Sequence, residues 1–371
     1  MSRNQSEATT PDAMAPLRLE VVGRGPDRGP SQPARPRRPG ARTIRVVLGL
    51  TWILAGALQF QPFMFSKGFL AQVVAPVSQG QPGWIAATIT WSVQVMGHHH
   101  VVCNALFATT QVLIGAGLLF RRSTKAALLA SFGWALGVWW FGEGLGLIPT
   151  GAASPLTGAP GAVLLYALVG ALVWPRSCRG GSVSKVGTAP VGTAPSWAGP
   201  LGRVIWAALW LLSAALWLLP ANRAGAATHD ALETAAYGWL TQAQHAAATA
   251  AQGNGLAIAI GLAVASILIA LGALVPAATR PALAAGALLS LAYWAFGQSF
   301  GLITTGTATD LNAGPLFVLL ALRLWGDPTR VDWRPLLVPS LRPRALARAR
   351  RRATTTAPAL YRPAGATTPL R

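Results

Sequence analysis

The chain has 371 residues, 52% of them hydrophobic and only 11% charged, with a mean hydropathy of +0.44. Soluble domains carry about 25% charged residues, so lipid is the expected solvent for much of this chain. Its net charge of +20 is concentrated in the ends, with eight arginines in the first 43 residues and eleven from Arg323 onward, a distribution that fits the positive-inside rule rather than a nucleic-acid-binding face.

Residues 1–43 are rich in Pro, Arg, Gly and Ser without a hydrophobic period, and read as a disordered basic tail. Residues 44–175 form a first membrane repeat with apolar segments near 46–65, 101–120, 126–148 and 159–174. A Gly/Ser/Thr/Pro-rich linker over 176–202 leads to a second repeat, 203–326, with segments near 204–220, 255–275, 282–303 and 313–325. Crossing about 30 Å of hydrocarbon takes roughly 20 helical residues, which the second and third segments of each set supply. The last segment, "AGPLFVLLALRLW", is short, and Arg323 in it must reach an interface. Residues 327–371 are a second basic tail, in which Arg342 to Arg352 suits anionic lipid headgroups.

The two sets are similar to each other. Trp139–Pro160 aligns without gaps to Trp294–Pro315 at an offset of 155, with 11 of 22 positions identical. The same offset pairs Val112–Leu119 with Ile267–Leu274, and an offset of 158 pairs Arg45, Trp52 and Pro62 with Arg203, Trp210 and Pro220. A tandem duplication of a four-segment unit follows, with both copies running the same way because each has an even number of crossings. The fold class expected is therefore all-α, a polytopic membrane protein of about eight transmembrane helices in two parallel four-helix repeats.

Charge orients that arrangement. The turns "RRSTK" and "PAATRP", the linker and both tails fall on one face, so both termini are expected in the cytosol of a plasma-membrane protein. Cys103 and Cys178 then lie on opposite sides, and no CxxC is present. Between segments one and two runs an outward-facing stretch. In the second copy it places Leu232, Ala235, Ala236, Trp239, Leu240, Ala243 and Ala246 on one helical face, as an amphipathic helix would. His229 and Glu233 stand one turn apart on its solvated side.

With "RVVLGLTWILAGALQF", an outer amphipathic segment and "QVLIGAGLLFRRSTKAALLASF", residues 45–174 resemble the DoxX/MauE-like group of four-helix membrane proteins, and 203–325 do so more weakly. The resemblance implies two fused family units. That group includes proteins similar to quinone-linked sulfur oxidoreductase subunits and to maturation factors for redox enzymes, so it implies a redox-associated accessory role and supplies no catalytic residue.

Three constellations could carry chemistry. Glu143 is the only carboxylate inside an apolar segment, where charge is costly and a partner is needed; Gln298 occupies the matching position of copy two. The octet "MGHHHVVC" places Met96, His98, His99, His100 and Cys103 at the start of segment two. Met96, His98, His100 and Cys103 could bind copper or zinc, or a histidine could pair with Glu143 as a proton or ligand site; the alternative is a polar helix cap. Gly142/Gly146 and Gly297/Gly301, with Gly133/Gly137, have the spacing of close helix packing in lipid, and equally of a groove for a flat ligand such as a quinone. The fifteen tryptophans mostly fall near segment ends, as in an interfacial belt. The expected partners are the bilayer, anionic headgroups and a membrane protein, with no nucleic acid. The function these features favour is a non-enzymatic or accessory membrane component; the rival is a transporter or a quinone-interacting oxidoreductase subunit using Glu143 and the outer histidines.

Overall fold

A computed structural model describes residues 40–175, 198–233 and 236–325. The two tails and most of the linker expected from the sequence, Cys178 among them, lie outside these residues. All regular structure among the described residues is helical.

In chain order the main helices are α1 (Ala41–Leu58), α2 (Gly83–His98), α3 (His100–Leu119), α4 (Thr124–Phe141), α5 (Ala162–Leu172), α6 (Ala198–Trp217), α7 (Ala226–Leu232), α8 (Gly238–Leu274), α9 (Thr279–Phe296) and α10 (Ala313–Leu324). Four of them are long and apolar enough to cross a membrane: α1, α3, α6 from Pro200, and α8. With 11 and 12 residues, α5 and α10 rise only about 17 Å each, short of a full span.

The long helices pack where side chains are small. A methyl at Gly115 would strike the backbone of Gly49 and Ile53, and one at Gly56 would strike Ala108 and Val112, so α1 and α3 approach backbone to backbone. Arg45 is buried in α1 and donates from Nη1 to Thr124 Oγ1 at 2.6 Å, pinning α1 to the start of α4. Arg203 and Thr279, at the corresponding positions of the second half, are likewise buried. Arg323 donates from Nε to the Leu172 carbonyl at 3.1 Å; rather than only reaching outward, it joins the end of α10 to the end of α5.

One hydrophobic core, which includes Leu165 and Val169 of α5 and Leu316 and Leu320 of α10, runs through both halves. Several tryptophans expected at the interface are inside it or beside it: Trp52, Trp206, Trp210 and Trp217 are fully buried, while Trp84, Trp91 and Trp239 are exposed. The outer segment of the second half also differs from its expected stripe. Leu240, Gln244, Ala248 and Ala251 form the buried face and Trp239 points out, because Gln244 Nε2 is held by the Phe296 carbonyl at 2.7 Å.

The two halves break their backbones at matching places. His99 (φ −134°, ψ 35°) separates α2 from α3, and Asn254 (φ −127°, ψ 22°), 155 residues later, kinks α8. Residues 144–147 and 299–302, again 155 apart, each form a left-handed turn with φ between 44° and 69°.

Candidate functional site

The site begins where α4 stops. Gly142 ends the helix, and the left-handed run Gly144, Leu145, Gly146, Leu147 turns the chain back over its own end. Left-handed backbone costs about 1–2 kcal/mol for each residue with a Cβ, so this turn must be held by its surroundings. Two bonds hold it. Gln81 Nε2 donates to the Gly144 carbonyl at 2.9 Å, and Trp139 Nε1 to the Pro160 carbonyl at 2.7 Å.

Glu143 therefore sits beyond the helix, not within a spanning segment as its apolar surroundings in sequence suggested. Its Oε1 accepts from the Val163 N–H at 3.2 Å, in the first turn of α5. A methyl at Gly161 would collide with Oε2, so the glycine leaves room for the carboxyl group. At the corresponding position the second half carries Leu316, opposite Gln298. The residue keeps part of its surface towards the neighbouring cavities, but Oε2 is sealed and has no hydrogen-bond partner within the protein.

The second carboxyl group comes from the other half. Asp310, whose Oδ1 accepts from the Asn312 N–H at 2.6 Å, lines the same two cavities as Glu143. Burial raises the Glu143 carboxyl from 4.5 to about 8; the Asp310 charge adds to the rise, and the Val163 and Ala162 N–H groups oppose it. Burial also raises Asp310, against the pull of its bond from Asn312. The loops that carry the two acids cross between the halves: Gly297 lies against Leu156, and Gly158 against the Asn312 side chain.

Beside the acids lies a cavity of about 330 Å³, lined mostly by the first half and also by Thr309 and Asp310. Its walls are mainly apolar and include the aromatic Trp52, Phe69, Phe107, Trp134, Phe141 and Tyr166, and its polar groups are Gln59, Ser92, Gln111, Thr309 and the two carboxyls. Gly133 and Gly137 line it with nothing within 4 Å of where a Cβ would stand. Two more polar spaces, of about 350 and 400 Å³, adjoin it at Thr309 and Asp310 on the side of the outer loops. In the second half, the partners at the same offsets differ in size. Trp217 replaces Gln59 and Tyr293 replaces Val138, and these two are bonded to each other, Nε1 to OH at 3.0 Å, and buried. Leu288 stands where the first half has Gly133.

The glycine pairs thus do something other than pack helices. Gly142 and Gly297 cap helix ends, Gly146 and Gly301 are left-handed turn residues, and Gly133 and Gly137 face empty space. The histidines do not join the acids. His98 is exposed with Nδ1 on the Gln94 carbonyl at 2.8 Å, His99 is the exposed break, and His100 and Cys103 are half-buried; none of them lines these cavities. Met96 alone of that octet reaches the cavity of about 330 Å³. Among the described residues no three His, Cys, Asp or Glu side chains gather as a metal site would need. Gln298 is buried, with Nε2 on the Leu156 carbonyl at 3.4 Å, in a place related to that of Glu143, and it lines the adjoining space of about 400 Å³. Asp310, Gln59 and Tyr166 belong to the site and were not singled out by sequence. One signal for Asp310 existed: only Glu143, Asp230, Glu233 and Asp310 are acidic between residues 44 and 325. Comparison of the chain with protein-family models, with curated proteins and with solved structures finds no match.

Proposed function

We propose that this chain is a multi-pass plasma-membrane protein of two parallel four-helix units, both termini cytoplasmic, whose first unit receives a small, largely apolar molecule from the bilayer. The resemblance to DoxX/MauE-like proteins accords with the four-helix unit. The observation that carries the receptor role is the aromatic cavity of about 330 Å³ ending on Glu143 and Asp310. Concave, mostly apolar spaces with a few convergent polar groups are the usual form of small-molecule sites. The second half shows how this scaffold can occupy related positions with bulk, in Trp217 and Tyr293. This favours a binding or transport component over a purely accessory scaffold.

Gly137→Leu tests the proposal. The position has room for a side chain, and leucine is a better helix former than glycine by up to about 1 kcal/mol, so the variant should fold while occupying the cavity. In a thermal-shift screen of lipophilic small molecules on the protein in lipid nanodiscs, the wild type should be stabilised by some compounds and the variant by none of those. Equal responses of the two proteins, or no response from either, would overturn the proposal.

A further inference from the structure

We infer that the molecule held in the cavity is a lipophilic monocation, a protonated or quaternary amine, and that it takes the place of one proton on the Glu143–Asp310 pair. The inference rests on the receptor reading above and names its ligand class. Three observations carry it. First, the groups that can bear charge around the three adjoining spaces are Glu143, Asp310 and Tyr166, and no Lys, Arg or His lines any of them. Nothing cationic in the lining answers the two carboxyls. Second, two side-chain oxygens of the lining residues lack a hydrogen-bond partner within the protein. Gln59, only 5% exposed, lines the cavity with Oε1 unpartnered within the protein, and Glu143 Oε2 is unpartnered too; Trp52 Nε1 is the one sealed donor among the lining residues. Third, Trp52, Trp134 and Phe107 line the same space as the acids, and aromatic rings attract cations through their faces.

Two carboxyl groups sharing a desolvated site do not both ionise, and one proton is retained. When the cation enters, its charge replaces that proton: the acid O–H bond breaks, the proton leaves to water, and the carboxylate is left facing the ammonium. Charge in the site is unchanged by the exchange. The carboxyl of Glu143 lies outside the spanning helices and is raised to about 8, so at neutral pH it holds the proton that is to be displaced.

Benzyltrimethylammonium and its uncharged carbon isostere, neopentylbenzene, have the same shape and differ in charge, and the fixed cation has no titration of its own. Their affinities for the full chain in nanodiscs are measured by calorimetry, with empty nanodiscs subtracted. At pH 9 the cation should bind at least about tenfold more tightly than the isostere. Proton competition at a group near 8 should weaken the cation about a hundredfold between pH 9 and pH 6. At pH 7, repeating the titration in buffers of different ionisation enthalpy should show about one proton released per cation bound. Glu143→Gln, which leaves Asp310 as the one carboxyl of the pair, should reduce the preference for the cation over the isostere and remove the pH dependence centred near 8. It should fold because Gln298 already fills the related position. Asp310→Asn should shift the pH midpoint downward, since the Asp310 charge helps to raise Glu143. Equal binding of cation and isostere by the wild type at pH 9, or a pH-independent affinity, would overturn the inference and leave the receptor proposal standing. Absence of binding by both, together with a flat compound screen, would remove both.

Discussion

Glu143 and Gln298 differ by one oxygen exchanged for one nitrogen, yet only the first lines the cavity of about 330 Å³ and can carry charge there. Its raised pKa links folding to pH, with a definite sign. The unfolded carboxyl releases its proton near 4.5 and the folded one near 8. Between those values the unfolded state binds fewer protons, so stability falls as pH rises and levels off above about 8. The melting temperature of the wild type in detergent should therefore decline from pH 5 to pH 8, whereas that of Glu143→Gln should stay nearly flat over the same range. Parallel curves would mean that Glu143 is ionised in the fold. At this scale the sequence was partly readable. Glu143 stood out as a lone acid among apolar residues. Its neighbour did not, because Asp310 aligns with Pro155 and reaches Glu143 only where the two halves cross. The histidines drew attention through clustering in sequence, but a helix break at His99 turns successive imidazoles in different directions.

Among the elements, the left-handed turns after α4 and α9 position the site. Leu145 and Leu147 hold φ of 59° and 57°, values that glycine adopts without steric cost. Leu147 is exposed, so little packing is lost by removing its side chain. Leu147→Gly should leave thermal stability unchanged or raise it by about 1 kcal/mol, the relief of strain offsetting the added chain entropy. Leu129→Gly, at an exposed position within α4, should cost about 1 kcal/mol. If both variants lose stability equally, the turn is not strained. Hydropathy carried the third segment on to residue 148 because Leu145, Leu147 and Ile148 are apolar; it contains no information on the hand of a turn. The same limit applies to the glycines. A four-residue spacing looks alike whether the glycines face a helix, end one or border a cavity, and here Gly49, Gly56 and Gly115, which lack that pattern among themselves, make the close helix contact. The long apolar helices α1, α3 and α6 were legible since length and hydropathy suffice to define them.

For the whole molecule, the short helices bear on topology. At about 17 Å each, α5 and α10 cannot return the chain across 30 Å of hydrocarbon unaided. Their far ends are joined by the Arg323–Leu172 bond, so in the proposed orientation both start well below the outer surface, and the connections over 142–161 and 297–312 must descend to meet them. Backbone without helical bonds is tolerated at that depth only when covered by protein. The packing of Gly297 on Leu156 and Gly158 on Asn312 provides such cover, each half's connection shielding the other's. The proposed orientation puts the arginine-bearing turns on the cytosolic face. Single cysteines at Arg122 and Ala277, both exposed, should react with a membrane-impermeant maleimide in inverted vesicles and not in intact cells, once Cys103 and Cys178 have been replaced by serine. Cysteines at Ala152 and Thr305, exposed in the opposite connections, should show the converse. Labelling of Arg122 and Ala277 from different sides would require an odd number of crossings in the first half. The halves would then be inverted relative to each other, and Asp310 could not approach Glu143 through connections on a common face.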